Sequence, residues 1–71
     1  MDINEALKIV KTKHSEKILR SYEFKNCFVF ILDTYGDVKL IVHIDKETSK
    51  ISYTSLVGLQ MIMAEEEPII N

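Results

Sequence analysis

Residues 27–45 read CFVFILDTYGDVKLIVHID, two apolar stretches separated by a short polar one. In the second stretch every other residue is apolar: Val38, Leu40, Val42 and Ile44. The residues between them form a mixed face: Lys39, Ile41, His43 and Asp45. Because side chains alternate between the two faces of a strand, this pattern indicates an antiparallel strand with one face on a core. The polar residues 33–37 include Gly36, which is typical of a turn, so the sequence predicts a β-hairpin.

The first strand of this hairpin, residues 27–32, is apolar on both of its faces. One face holds Phe28, Phe30 and Leu32, and the other holds Cys27, Val29 and Ile31. A strand of this kind is expected in the middle of a sheet, where other parts of the protein cover both faces. What covers the second face is an open question at this point.

The residues before the hairpin predict a helix followed by a strand. Apolar residues recur at the spacing of an amphipathic helix: Ile3, Ala6, Leu7 and Val10. Asp2 or Asn4 can cap the start of this helix, and the pattern ends near Lys13. In residues 16–25 the side chains alternate in a way that favours a strand, and a helix that continues through Leu19 is the alternative.

The residues after the hairpin complete the predicted fold. Residues 45–50 form a polar cluster typical of a turn, and the alternation in residues 51–54 predicts one more short strand. A second helix is then expected from Leu56 to about Glu66, capped by Thr54 or Ser55. The predicted fold class is α+β, with an N-terminal helix, an antiparallel β-meander of three to four strands and a short apolar C-terminal helix.

The second helix is the main reason to expect a homodimer. It is apolar nearly all round, and a helix of that kind must be buried on more than one side. A single domain of residues 1–71 buries only about 60% of its unfolded surface, which leaves little material to cover such a helix. The one cysteine cannot form an intramolecular disulfide, so association is the remaining source of stability. The predicted dimer contact is formed by a face of the sheet and by four residues of this helix: Leu56, Leu59, Ile62 and Met63.

The composition argues against several classes of function. Cys27 lies in an apolar strand, where a buried and unreactive thiol is expected, and together with His14 and His43 it forms no spacing typical of a metal site. No catalytic residues, cofactor or metal are therefore predicted. The apolar run at residues 27–32 is too short to span a membrane, and the acidic N-terminus is not a signal peptide, so we expect a cytoplasmic protein. A net charge of −2 argues against general nucleic-acid binding.

Four short stretches of the chain resemble a known group of proteins: EALKIV at residues 5–10, FVF at 28–30, VHIDKETSKI at 42–51 and EPII at 67–70. The group consists of small uncharacterised proteins of phages and Gram-positive bacteria, which resemble single PepSY-like modules. Its members commonly carry D-K-x-T-G-K. Ser49 stands here in place of that glycine, so the turn is either of a different type or slightly strained. The resemblance implies the α+β fold and no activity.

Two functions are compatible with these observations. The first is a non-enzymatic interaction protein, a homodimer that binds another protein in a phage or bacterial accessory or counter-defence role, because its apolar surface exceeds what one chain can bury. The alternative is a protein that binds or sequesters a small charged metabolite or nucleotide, in a cavity between helix and sheet or at the dimer contact. The candidate ligand contacts are Lys8, Lys11, Lys13, Arg20 and His43.

Overall fold

The computed structural model describes residues 1–34 and 39–69, in which two helices accompany a four-stranded sheet. The elements are, in chain order, α1 (Ile3–Lys13), β1 (Ile18–Glu23), β2 (Cys27–Leu32), β3 (Leu40–Asp45), β4 (Ile51–Thr54) and α2 (Leu56–Glu65). They confirm the predicted α+β fold, with its N-terminal helix, antiparallel meander and C-terminal helix. Residues 16–25 contain the strand β1 and not an extension of α1.

α1 is an amphipathic helix with a capped start. The Asp2 carboxylate accepts a hydrogen bond from the Glu5 N–H at 2.9 Å, which satisfies one of the free N–H groups of the first turn. Ala6 and Val10 are buried on the inner side of the helix. The outer side carries three exposed lysines: Lys8, Lys11 and Lys13. α1 therefore presents an apolar stripe to the sheet and a basic surface to solvent.

The strands form one antiparallel sheet in the order β1-β2-β3-β4, so each strand pairs with its neighbour in sequence. In the central hairpin, Phe28 lies opposite Ile44 and Phe30 lies opposite Val42. Directly opposite residues share a face of an antiparallel sheet. The register therefore gathers the aromatic side chains of β2 and the branched side chains of β3 on one side.

Each face of the sheet has its own apolar core. On one face α1 packs on buried strand residues: Phe28, Phe30, Leu32, Val42 and Ile44. On the opposite face Leu59 of α2 packs in a cluster with Phe24, Cys27, Val29 and Ile41. α2 of the same chain thus provides the cover that the second face of the hairpin requires.

The turn between β3 and β4 is organised by Asp45. Its carboxylate accepts hydrogen bonds from the N–H groups of Thr48 at 2.9 Å and Glu47 at 2.8 Å. The bond from Thr48, and after it the bond from Glu47, hold the pKa of Asp45 below its ordinary value. Ser49 follows with a φ of 62°, in the left-handed region that favours glycine. Of the two alternatives for this turn, the strained backbone is the one found.

An ion pair joins the ends of β2 and β3. Lys39 Nζ lies 2.8 Å from Asp33 Oδ1, and this hydrogen bond lowers the pKa of Asp33. Both side chains are well exposed, so the pair contributes little to stability. The predicted turn at residues 33–37, and Val38 on the predicted core face of the second strand, fall largely on residues 35–38, which lie outside the described residues.

The chain after α2 returns to β1. The Glu66 carboxylate accepts a hydrogen bond from the Lys25 N–H at 2.6 Å, and the Ile69 N–H donates to the Glu23 carbonyl at 2.6 Å. Glu23 and Ile69 form an isolated antiparallel bridge at the edge of the sheet. α2 is therefore fixed at its start by β4 and beyond its end by the β1–β2 hairpin.

Candidate functional site

The candidate site is the outer surface of α2, formed by Leu56, Val57 and Met61 and called the α2 surface below. These three side chains are 60%, 64% and 64% exposed. Val57 and Met61 are four residues apart and lie side by side on the helix. A single exposed leucine needs no explanation, but three large apolar side chains on one short helix form a patch of the kind that marks a contact surface.

The α2 surface belongs to a segment without charge. Residues 51–64, the uncharged segment, contain no Asp, Glu, Lys or Arg. The four most exposed large apolar side chains of the described residues all lie in it: Tyr53, Leu56, Val57 and Met61. The centres of protein interfaces are depleted in charged residues and enriched in methionine and aromatic residues. Composition and exposure therefore both favour a surface that contacts another protein.

The orientation of α2 is set at its first turn. Ser55 Oγ accepts a hydrogen bond from the Gly58 N–H at 3.1 Å and caps the helix. A Cβ atom at position 58 would collide with Thr54 Oγ1, so the glycine allows α2 to start close to β4. Leu59 then points at the sheet and is only 3% exposed. One apolar side of the helix is consequently buried, and another faces outward.

The four residues predicted to form the dimer contact do not lie on one exposed surface. Leu59 is buried in the core of its own chain, and Ile62 and Met63 are partly buried beside it. Of the four, Leu56 alone is more than half exposed. The physical reason is that α2 covers the second face of its own sheet, which uses the side of the helix that Leu59 occupies. The side that is left for a partner is the α2 surface.

A groove of about 720 Å³ lies beside the start of α2. Ile31 and Ile41 of the sheet and Leu56 of α2 border it, together with Thr54 and Ser55 of the connection. Leu56 belongs both to this groove and to the α2 surface. The exposed apolar surface of the helix therefore continues into a recess beside the sheet.

The five residues predicted to contact a ligand are divided between the two sides of the sheet. On the side of α1 are Lys8, Lys11 and Lys13. Arg20 lies opposite Ile31 in the register of β1 and β2, and Ile31 packs on the α2 side. His43 lies opposite Val29, which is also part of the α2 side. The structure therefore does not bring the lysines together with Arg20 and His43.

A polar cluster that the sequence does not reveal joins the end of α1 to β4. His14 Nε2 lies 2.9 Å from the Tyr53 hydroxyl, and the two rings meet edge to face with centroids 5.7 Å apart. Glu16 Oε2 lies 3.9 Å from His14 Nδ1 and has no hydrogen-bond partner among the described residues. A groove of about 620 Å³ runs past His14 and Glu16, and Lys11 borders it as well. Nothing in the sequence pairs His14 with a tyrosine 39 residues later, because that contact depends on how α1 crosses the sheet.

Cys27 lies under α2 as a free and buried thiol. Burial raises the pKa of this thiol, and the negative charges of Glu66 and Asp45 raise it further. The thiolate is the reactive form of cysteine, so the neutral form that these surroundings favour is a poor nucleophile. The expectation of a buried cysteine in the central strand is confirmed.

Within residues 1–34 and 39–69, no three His, Cys, Asp or Glu side chains are grouped in a way that could hold a metal ion. Neither helix of this part of the chain is long and apolar enough to cross a membrane. A comparison of the chain with protein-family models, curated proteins and solved structures found no match. The α2 surface is therefore supported by geometry and composition alone.

Proposed function

We propose that the protein is a small non-enzymatic interaction protein, which forms a homodimer through the α2 surface and binds another protein as that dimer. The observation that carries this proposal is that the most exposed large apolar side chains of the described residues all lie in the uncharged segment. Full burial of a valine, leucine or methionine side chain is worth about 1.5–3 kcal/mol. Covering Leu56, Val57 and Met61 therefore supplies a substantial driving force for association.

A second copy of the chain is the partner to test first. In a two-fold dimer the same patch of both chains meets, so the patch has to tolerate a copy of itself. The α2 surface meets this condition because no charge lies between residues 51 and 64 to repel its equivalent. Association also adds to the stability of the fold, which is expected to be marginal for a chain of this length.

The test is the mass in solution of the wild type and of Val57→Glu, measured by light scattering after size exclusion. We expect a dimer for the wild type at roughly 50 μM, where a contact with a Kd of about 1 μM is almost fully formed. Val57→Glu places a charge at the centre of the α2 surface and should give a monomer. The matched control is Asn4→Glu, which adds the same charge at an exposed position of α1.

Each outcome of this measurement has a definite meaning. A wild-type monomer contradicts the proposed homodimer. A wild-type dimer that Val57→Glu leaves intact removes the α2 surface from the contact between copies. If Asn4→Glu also dissociates the dimer, the loss of the dimer is due to added charge in general and not to a change in the α2 surface.

The alternative function, binding of a small charged ligand, has less support. Its five candidate contacts are divided between the two sides of the sheet, and of these five only Lys11 borders the groove of about 620 Å³ at the end of α1. The phage or bacterial setting and the cytoplasmic location stay predictions, and so does the resemblance to PepSY-like modules.

A further inference from the structure

The two edges of the sheet differ in how they are protected. The edge strand β1 carries Arg20 and Glu23, has an irregular register next to Ile18, and is bridged by Ile69. Charged side chains, bulges and covering segments are the usual means by which an edge strand is kept from pairing with another chain. β4 has none of these features: it carries no charge, its register with β3 is regular, and no other described residue pairs with its outer side.

The hydrogen bonds at the start of β4 determine which of its backbone groups face outward. The Asp45 N–H donates to the Lys50 carbonyl at 3.0 Å, so these two residues form a hydrogen-bonded pair. Such pairs alternate with non-hydrogen-bonded ones along an antiparallel ladder. Ile51 and Tyr53 therefore occupy non-hydrogen-bonded positions relative to β3. Their N–H and C=O groups point away from the sheet, at its open edge.

We infer that β4 is a pairing edge, to which β4 of a second copy adds in antiparallel orientation and extends the sheet across both chains. In the register that uses all the outward groups of the strand, Ile51 forms a hydrogen-bonded pair with Tyr53 of the partner subunit. The two-fold axis then passes between Ser52 and Ser52 of the partner subunit. Two such pairs about the axis satisfy the four backbone groups that β4 leaves open on each chain.

The residues of β4 favour a second copy of the same strand as its partner. Directly opposite like charges destabilise a strand pair, and this register contains none, because Lys50 lies opposite Thr54 of the partner subunit. Lys50 is also the nearest charged residue before β4, and none follows before Glu65. A charged peptide would find no complementary charge on β4, whereas an identical uncharged strand matches it.

This edge is separate from the α2 surface, so the inference goes beyond the proposed function and can fail independently of it. Val57→Glu removes association through the α2 surface and leaves β4 unchanged. Experiments on β4 are therefore made with the full chain carrying Val57→Glu. At roughly 50 μM this background should be a monomer, so the weaker pairing through β4 is tested at roughly 1 mM, because a contact with a Kd of about 0.3 mM is mostly formed there and mostly dissociated at roughly 50 μM. A dimer found at the higher concentration comes from a surface other than the α2 surface.

The deciding experiment compares disulfide formation by Ser52→Cys and by the matched variant Ser21→Cys, an exposed serine on the protected edge strand β1. Across the axis the two residues at position 52 form a non-hydrogen-bonded pair with Cα atoms about 4.5 Å apart, within the range of a disulfide. We expect linked dimers to form at least about tenfold faster with Ser52→Cys, because its effective concentration is millimolar in the pair. Equal rates for the two variants would overturn the inference. A faster rate for Tyr53→Cys than for Ser52→Cys would overturn the proposed register.

A second measurement guards against a variant that does not fold. Tyr53→Pro removes an N–H that points outward and is tolerated in an edge strand, whereas Tyr53→Phe keeps it and removes only the bond to His14. At roughly 1 mM, and with both variants checked for native circular dichroism, we expect a dimer for Tyr53→Phe and a monomer for Tyr53→Pro. A dimer in both, or a monomer in both, contradicts pairing through the Tyr53 backbone.

Discussion

Ser49 holds a left-handed backbone conformation without being a glycine or an asparagine. A side chain in this region clashes with its own backbone, at a cost of roughly 1–2 kcal/mol, and glycine avoids the clash but loses more entropy on folding. The turn therefore stores strain at one residue, and the local bonds of Asp45 offset it.

Ser49→Gly is expected to stabilise the protein by about 0.5–1 kcal/mol, because the relief of strain exceeds the added entropy cost. The measurement is urea unfolding followed by circular dichroism. Ser49→Ala is the control, since it removes the hydroxyl and keeps the Cβ atom. Equal stability of the glycine and alanine variants would show that the backbone conformation of residue 49 carries no strain.

Some single-residue features could be predicted and others could not. The positive φ at Ser49 was one of two alternatives that the sequence left open, the other being a turn of a different type. The hydrogen bond from the Lys25 N–H to the Glu66 carboxylate could not be predicted. The sequence does not show which of three consecutive glutamates lies next to Lys25 in the fold.

At the scale of elements, we expect the pairing of β3 with β4 to be sensitive to acid, because Asp45 organises the turn between them. Hydrogen bonds from Thr48 and Glu47 lower the pKa of Asp45 in the folded state below its ordinary value of 3.8. The folded state therefore binds this proton less tightly than the unfolded state. The stabilisation is present above about pH 3.8 and is lost as the pH falls through the lower pKa of the folded state.

We expect Asp45→Asn to lower the stability at about pH 6 and to reduce its further loss between about pH 6 and pH 3. Urea unfolding of both proteins at the two pH values measures this difference. Glu47→Gln changes the charge of the same turn without touching the carboxylate that accepts these bonds, and it serves as the control. A loss in acid that is the same for Asp45→Asn and the wild type would contradict the role of Asp45.

The faces of the central hairpin could be predicted because alternation leaves only one way to bury Phe28, Phe30, Val42 and Ile44 together. The orientation of α2 could not be predicted, because the sequence of a helix that is apolar nearly all round does not show which side packs on the sheet. Its first turn and the fit of Leu59 on the sheet decide the orientation. The sequence therefore pointed to α2 as a contact element, while the exposed residues are on a different side from the one expected.

At the scale of the whole molecule, the two apolar cores lie on opposite faces of the sheet, and we expect one face to open while the other stays packed. Cys27 reports on the face that α2 covers, because the residue is only 8% exposed and burial raises the pKa of its thiol. Local opening of a segment exposes such a group at a lower free energy than global unfolding.

We expect a thiol reagent to modify Cys27 at least about a hundredfold more slowly in the native protein than in urea. Leu59→Ala should raise the native rate more than Val10→Ala, since it weakens the core over Cys27, whereas Val10→Ala weakens the opposite one. The rates are followed by mass spectrometry. If both variants accelerate labelling equally at equal loss of stability, the two faces open together.

The order of the strands has a consequence for how the sheet forms. Every strand pairs with its neighbour in sequence, so residues 1–54 contain the whole sheet together with its cover by α1. Domains built from such local contacts fold faster than domains whose strands pair across the chain. The second face, with Cys27, Val29 and Ile41, is covered only when residues 55–69 fold back over it. Until then the folding chain exposes an apolar sheet face, at which copies of the chain can aggregate.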